Sequence, residues 1–225
     1  MLQRFELDHW APPEQAQPNE SSMDSIDARG ANWRGADLQN RDLSGALLCR
    51  SDLRGCNLSQ CALDGADLRL ALYDNQTLWP ESFNPANSGA IGPGAKLNGA
   101  FLNNADLRGM DLRGCSLMGT YLSGADLSGA CLDGVSLAAA DLRKAVLRGA
   151  SCVGTRFGSC QLDFADFRGA DLTDAALDTA ESIRGADFSG SQGLDPTRQA
   201  LLSREAQELD CWNPLTRSNT RNSLG

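Results

Sequence analysis

Residues 95–134 read AKLNG AFLNN ADLRG MDLRG CSLMG TYLSG ADLSG ACLDG, and the same five-residue unit continues without a slip to Thr179. With Leu97 as the first centre, positions 97, 102, 107 and so on to 177 make seventeen centres, and fourteen of them are Leu. Cys152, Phe157 and Phe167 are the exceptions. Two residues before the centre stands Ala in eleven units, with Met110, Cys115, Thr120, Val135, Thr155 and Cys160 in the rest, so this position is small and mostly apolar. Two residues after the centre comes Gly in ten units, which marks a corner. Charged residues often flank the centre directly, as in ADLRG.

A period of five suits neither a helix nor a long strand. Five residues drift by about 140° around a helix, and a strand repeats every second residue. What fits is a coil of short extended segments joined by turns, in which the centre and the small residue two before it share the inward side. Gly and other turn-tolerant residues bend the backbone at each corner. Such fixed-period self-similarity is the signature of a solenoid, whose rungs bury their apolar faces only against one another.

The units ADLQN, ADLRL, ADLRG, ADLSG and ADLTD resemble the A(D/N)Lxx motif of the pentapeptide-repeat proteins. The resemblance covers roughly residues 31–190 and implies an all-β fold, a right-handed quadrilateral β-helix with four units per coil. Units begin near Ala31, with centres at Trp33, Leu38, Leu43 and onward to Tyr73, while Met23 and Ala28 sit in the same phase as a degenerate opening unit. Residues 1–30 are read as an N-terminal tail with that first unit. The pattern breaks over Asp74–Gly94, a projecting loop rich in Pro and Gly, and resumes with its phase changed. Its YDxxTxWPxxFxP form resembles an insertion common among cyanobacterial members. After Leu177 one residue is inserted near Glu181, and centres follow at Ile183 and Phe188. The count implies about seven coils, a rod of roughly 34 Å.

Residues 191–225 form a C-terminal helix and tail. Asp195 is suited to an N-cap and Pro196 to a first helical position, so TRQALLSREAQELD reads as one helix with Leu201, Leu202 and Leu209 along one side. That helix is expected to cap the open end of the coil, with a homodimer contact as the other use. The last residues, NPLTRSNTRNSLG, resemble the NPxTxxxTRxTLG ending of some cyanobacterial and thylakoid members, without their final Cys.

Composition excludes several functions. The net charge of −9 divides into −4 over residues 1–30, −5 over 31–190 and zero over 191–225, with no Lys/Arg cluster, which argues against direct nucleic-acid binding. No apolar run approaches the roughly eighteen residues of a membrane helix, and the first residues lack the basic head and apolar middle of a secretory signal. A cytoplasmic protein is expected. There is no CxxC, and Cys56, Cys61, Cys115 and Cys160 hold small inward positions, so the eight cysteines read as compact hydrophobes and no metal or cofactor is expected. The glycines around Lys96 lack P-loop spacing. His9 is the only His, and the Asp residues are regularly spaced and outward, so no catalytic residues are assigned and the chain reads as no enzyme.

Four units per coil bring every twentieth residue onto one wall. Phe101 then lies directly below Tyr121, and the row Asp106, Asp126 and Asp166 runs beside Arg108, Arg148 and Arg168. Trp79 and Phe83 are expected either to anchor the loop onto the coil or to present an aromatic contact. The function expected is a non-enzymatic protein–protein interaction scaffold of unknown partner, with Trp79, Phe83, Phe101 and Tyr121 as the contact. The alternative comes from the resemblance: some members mimic DNA, dimerise through a C-terminal element and protect DNA gyrase from quinolones. A mimic needs a continuous acidic face, and here Asp alternates with Arg.

Overall fold

A chain that turns every five residues can pair only briefly on each wall before the next corner. The computed structural model, which describes residues 26–225, shows pairing of that kind. The described chain divides into two compact units, one ending at Ile91 and the other spanning Gly92–Gly225. His9 and Met23 lie outside the described residues.

In the second unit Lys96 bridges Ser116, Phe101 bridges Tyr121, Asp106 bridges Asp126 and Asp111 bridges Cys131, all parallel and twenty residues apart. Four five-residue units therefore complete one coil. Each bridge uses the same pair of bonds: Asp126 N–H donates to Ala105 O (2.9 Å), and Leu107 N–H donates to Asp126 O (2.8 Å). Within a unit the centre carbonyl accepts from the amide three residues on, as Leu122 O does from Ala125 N (2.9 Å). That bond closes a β-turn whose third residue has positive φ, the type II geometry that favours Gly. Leu107 and Leu127 stack inside at 1% and 0% exposure. Full burial of one such side chain contributes about 1.5–3 kcal/mol. Phe157, Phe167 and Phe188 replace Leu in the upper coils, with Phe167 stacked on Phe188 at 5.2 Å between ring centres.

The first unit is built alike. Its columns include Asp27, Leu47 and Asp67, and Asn32, Asp52, Leu72 and Ile91. Ala28 is fully buried and its N–H donates to Leu47 O (2.9 Å), so the coil is already regular at the opening unit.

The interruption is shorter than the Asp74–Gly94 read from the sequence. One residue is added at the corner after Tyr73, and then Thr77, Leu78 and Trp79 take the small, outward and centre positions of a shifted unit. Thr77 is buried, with its Oγ1 donating to Leu53 O (3.0 Å), and Leu78 bridges Asn57. The chain leaves the ladder only between Leu78 and Ile91, over a stretch with a 3-10 turn at Pro85–Asn87. Ile91 rejoins it against Leu72.

At the C-terminus the single helix of the sequence reading is instead two short ones, α1 (Asp195–Leu202) and α2 (Ala206–Leu209). Asp195 lies inside the first turn of α1, where it pairs with Arg198 and makes no capping bond. On a straight helix Leu201 and Leu209 would point about 80° apart. The break at Ser203–Glu205 lets both be fully buried, and leaves Leu202 half-buried. A two-residue hairpin, β1 (Trp212–Asn213) with β2 (Ser218–Asn219), and α3 (Thr220–Ser223) complete the second unit. Among the described residues no helix is long and apolar enough to cross a membrane.

This segment supplies side chains to the last coil, where no further rung exists to pair with. Ile183 N–H holds the place that Leu107 N–H holds lower down, and it donates to Glu208 Oε1. Ala180 O, the counterpart of Ala105 O, accepts from Arg204 Nη1 (3.0 Å), and Arg204 Nη2 donates to Glu181 O (2.8 Å). Asn213 Nδ2 donates to Gly185 O (2.8 Å) and Thr220 Oγ1 to Ile183 O (3.1 Å).

The four cysteines at the small inward position follow one rule. The thiols of Cys56, Cys61, Cys115 and Cys160 each donate to the carbonyl 23 residues earlier, as the Thr155 hydroxyl does to Leu132 O. That carbonyl already closes the turn of its own unit, so the thiol takes its second lone pair. Burial pushes the Cys56, Cys115 and Cys160 thiols up to about 11 and Cys152 to about 12.

Two outcomes follow. Gly109 has φ +64° and open space around it, whereas Gly193 has φ +77° and a Cβ there would overlap the Thr173 backbone. Gly109→Ala should cost about 1 kcal/mol in urea unfolding, and Gly193→Ala markedly more; equal losses would refute the close approach. In thiol titration with a disulfide reagent at pH 8, native protein should expose only the half-buried Cys49, Cys131 and Cys211. The five buried thiols should react only on unfolding.

Candidate interaction surface

Outward residues in the coil are those flanking each centre, and their chemistry is set by what lies two positions away. In DLR units the Asp carboxylate accepts both the Arg backbone amide and its guanidinium, as with Asp106 and Arg108 (2.6 Å between charged atoms) and Asp111 and Arg113 (2.7 Å). Asp141 with Arg143 and Asp67 with Arg69 repeat the arrangement. Asp166 is paired twice, to Arg168 in its own coil and to Arg148 in the coil below. Burial pushes the Asp166 carboxyl up, but the hydrogen bonds from Arg168 and Arg148 outweigh it and hold it below the usual carboxylate range. Exposed pairs of this kind contribute little stability. Their effect is to turn acid rows into local dipoles whose fields cancel at a distance.

One corner of the second unit is different. Phe101 and Tyr121, on successive coils of one wall, are 71% and 44% exposed, and their rings stack at 4.6 Å with 8° between planes. Met118, 51% exposed, sits one unit before Tyr121. Asn98 Oδ1 accepts from Met118 N (2.9 Å) and Asn103 Oδ1 from Ser123 N (3.1 Å), so each amide is oriented by the coil above. An apolar centre containing Phe, Tyr and Met within a polar rim is the composition of protein–protein contacts. The twentieth-residue spacing brings Phe101 and Tyr121 together in the sequence; Met118 was missed because it stands after its centre.

The other two aromatics named from the sequence are turned inward. Trp79 packs edge-on against buried Tyr73 at 5.6 Å and stacks on Phe83 at 5.2 Å, and both are half-buried against the core of the first unit. They hold the irregular stretch down where regular centres are missing. Its outward apolar residue is Leu78, 54% exposed, which a one-residue shift of the repeat phase would have revealed. Near the C-terminus Leu201 and Leu209 are buried within the chain and offer no surface to a second copy, while Trp212 and Leu215 are exposed. Among the described residues no cluster of three or more His, Cys, Asp or Glu could hold a metal ion.

Comparison with solved structures finds HetL, a pentapeptide repeat protein involved in heterocyst differentiation regulation from the cyanobacterium Nostoc sp. strain PCC 7120. It is 26% identical over 77% of this chain and 92% of that one, with a TM-score of 0.27. A pentapeptide repeat protein of the Arabidopsis thaliana thylakoid lumen is 26% identical over 85% and 88%, with a TM-score of 0.22. QnrB1, a plasmid-mediated fluoroquinolone resistance protein, is 17% identical over 75% and 83%, also with a TM-score of 0.22. These scores are too low to carry a partner across. No curated protein matches the chain. The family profile for pentapeptide repeats matches in eight copies over residues 31–69, 94–120, 102–137 and 140–178, more than half of the sequence. With the twenty-residue ladder already described, the chain belongs to the pentapeptide-repeat family, and its coil is that family's right-handed β-helix.

Proposed function

We propose that the protein is a non-enzymatic interaction scaffold that contacts a protein partner through the Phe101–Tyr121 corner of its second unit. The observation that carries this reading is a stacked, solvent-facing aromatic pair held by two consecutive rungs. Rigid aromatic area of this kind binds at low entropic cost. Trp79 and Phe83 serve the same function at one remove, by fixing the stretch that displays Leu78. A reducing setting such as the cytosol suits eight free thiols. The charge arrangement speaks against the alternative, a DNA-mimic regulator of gyrase, because the acids are interrupted by Arg partners in their own or the neighbouring coil and form no continuous acidic face.

The C-terminal segment acts in this reading as a cap on the last coil, not as a dimer contact. Its polar side chains reach the backbone groups a further rung would have paired, and its Leu residues close the core.

For the scaffold, affinity capture should recover a partner with wild-type protein and lose it with Phe101→Ala plus Tyr121→Ala, a drop in affinity of about 30-fold or more. An unchanged partner set, or an effect of the purified protein on gyrase supercoiling, would overturn it. For the cap, Glu208→Ala should lower unfolding stability by about 1–3 kcal/mol while light scattering shows an unchanged mass. Halved mass without lost stability would point to a dimer instead.

A further inference from the structure

Among the charged side chains of the second unit's coil, most Arg residues are consumed by a neighbouring Asp. Arg108, Arg113, Arg143, Arg148 and Arg168 all form ion pairs. Lys96, Lys144 and Arg156 are exposed, and none has an ion-pair partner among the described residues. Their placement is not scattered. Lys96 and Arg156 stand in the column Lys96, Ser116, Ser136, Arg156, on the wall that precedes the aromatic wall in every coil. Lys144 stands at the corner that ends the aromatic wall, one coil above Tyr121, where its φ of +60° projects it from the turn.

The carboxylates are arranged in the opposite sense. In the two coils that hold the aromatic pair, residues 95–104 and 115–124 contain no acid, and Lys96 is their only charge. One coil higher Asp141 appears, already bonded to Arg143 (2.7 Å). The rim itself donates: with Oδ1 of Asn98 and Asn103 taken by backbone amides, their Nδ2 groups have no partner among the described residues. An acid-free apolar window framed by cations and amide donors is locally complementary to an acidic ligand, and it disfavours the basic ligands that a chain of net charge −9 would otherwise attract.

We infer that the Phe101–Tyr121 corner recognises an acidic polypeptide segment carrying an apolar or aromatic anchor. The anchor covers the stacked rings and Met118, and flanking carboxylates reach Lys96, Lys144 and Arg156. This rests on the scaffold reading and specifies the chemistry of its partner.

The test is selection of a displayed library of random twelve-residue peptides on wild-type protein. Recovered peptides should be enriched in Asp and Glu around an aromatic or aliphatic residue, and should weaken as salt is raised. They should lose about tenfold or more in affinity on the Lys96→Glu, Lys144→Glu, Arg156→Glu variant, and should not bind Phe101→Ala plus Tyr121→Ala. Circular dichroism and thermal midpoints near wild type confirm that both variants are folded. Peptides without acidic enrichment, or with equal affinity for the charge-reversed variant, overturn the acidic class; if they still require Phe101 and Tyr121, the scaffold reading survives. Recovery of no peptide, or of peptides indifferent to both variants, overturns the inference, and the capture experiment then judges the scaffold alone.

Discussion

The constraint on which this structure depends is the pairing of each residue with the one twenty positions on. That pairing fixes the coil at four units, since Leu107 N–H must meet Asp126 O while Ala105 O meets Asp126 N–H. Once it holds, Leu stacks on Leu and Ala on a small neighbour, because the same strand alternation places both inward. The corners are then obligatory. A residue with positive φ follows two places after each centre of a regular unit, though not at the corners with an inserted residue after Tyr73 and Leu177, and where Gly is absent, as at Ala139, Lys144 and Phe164, the backbone adopts the left-handed form regardless. Ladder and core together outweigh a local penalty of about 1–2 kcal/mol per corner.

The same constraint explains why polar groups are tolerated inside. A thiol or hydroxyl at the small position finds a turn carbonyl with one lone pair to spare: Cys160 and Thr155 use one in the previous coil, Leu137 O (2.8 Å) and Leu132 O (2.8 Å), whereas Ser51 and Thr120 use the centre carbonyl three residues back, Leu48 O and Leu117 O. Neither the thiols nor the hydroxyls need a metal or a disulfide to account for them. The arrangement of the ladder itself changes where the coil ends. There the ladder groups of Ile183 and Ala180 turn to Glu208 and Arg204, residues that bond to each other as an i, i+4 pair (2.8 Å).

Much of this was legible in the sequence, because a period of five is itself a statement about inward and outward positions. Leu107 under Leu127, Phe101 under Tyr121, and the extra residue near Glu181 all follow from counting. What counting could not supply were the places where phase changes. Thr77-Leu78-Trp79 is a repeat unit shifted by one residue, so Trp79, which from the sequence could be an anchor of the stretch or a partner contact, stands at a centre, and Leu78 was passed over. The helix break at Ser203–Glu205 was equally hidden. A continuous helical pattern satisfies local propensity, whereas the observed break answers to the position of the last coil, a tertiary demand with no local sequence signal.

A coil of this kind also constrains how recognition can be built. Inward positions are filled by Leu, Ala, Cys and Phe at almost no exposure, and most backbone groups belong to ladder or turn. What remains for a partner is the outward row of each wall, with successive rungs about 4.8 Å apart. On such a surface an Asp two residues before an Arg is nearly invisible from a distance, since the pair satisfies itself. Specificity therefore falls to the residues that break the pairing rule. In the second unit those include an aromatic stack where the repeat favours Asp, and the cations Lys96, Lys144 and Arg156, which have neither an Asp two positions before them nor an ion-pair partner among the described residues.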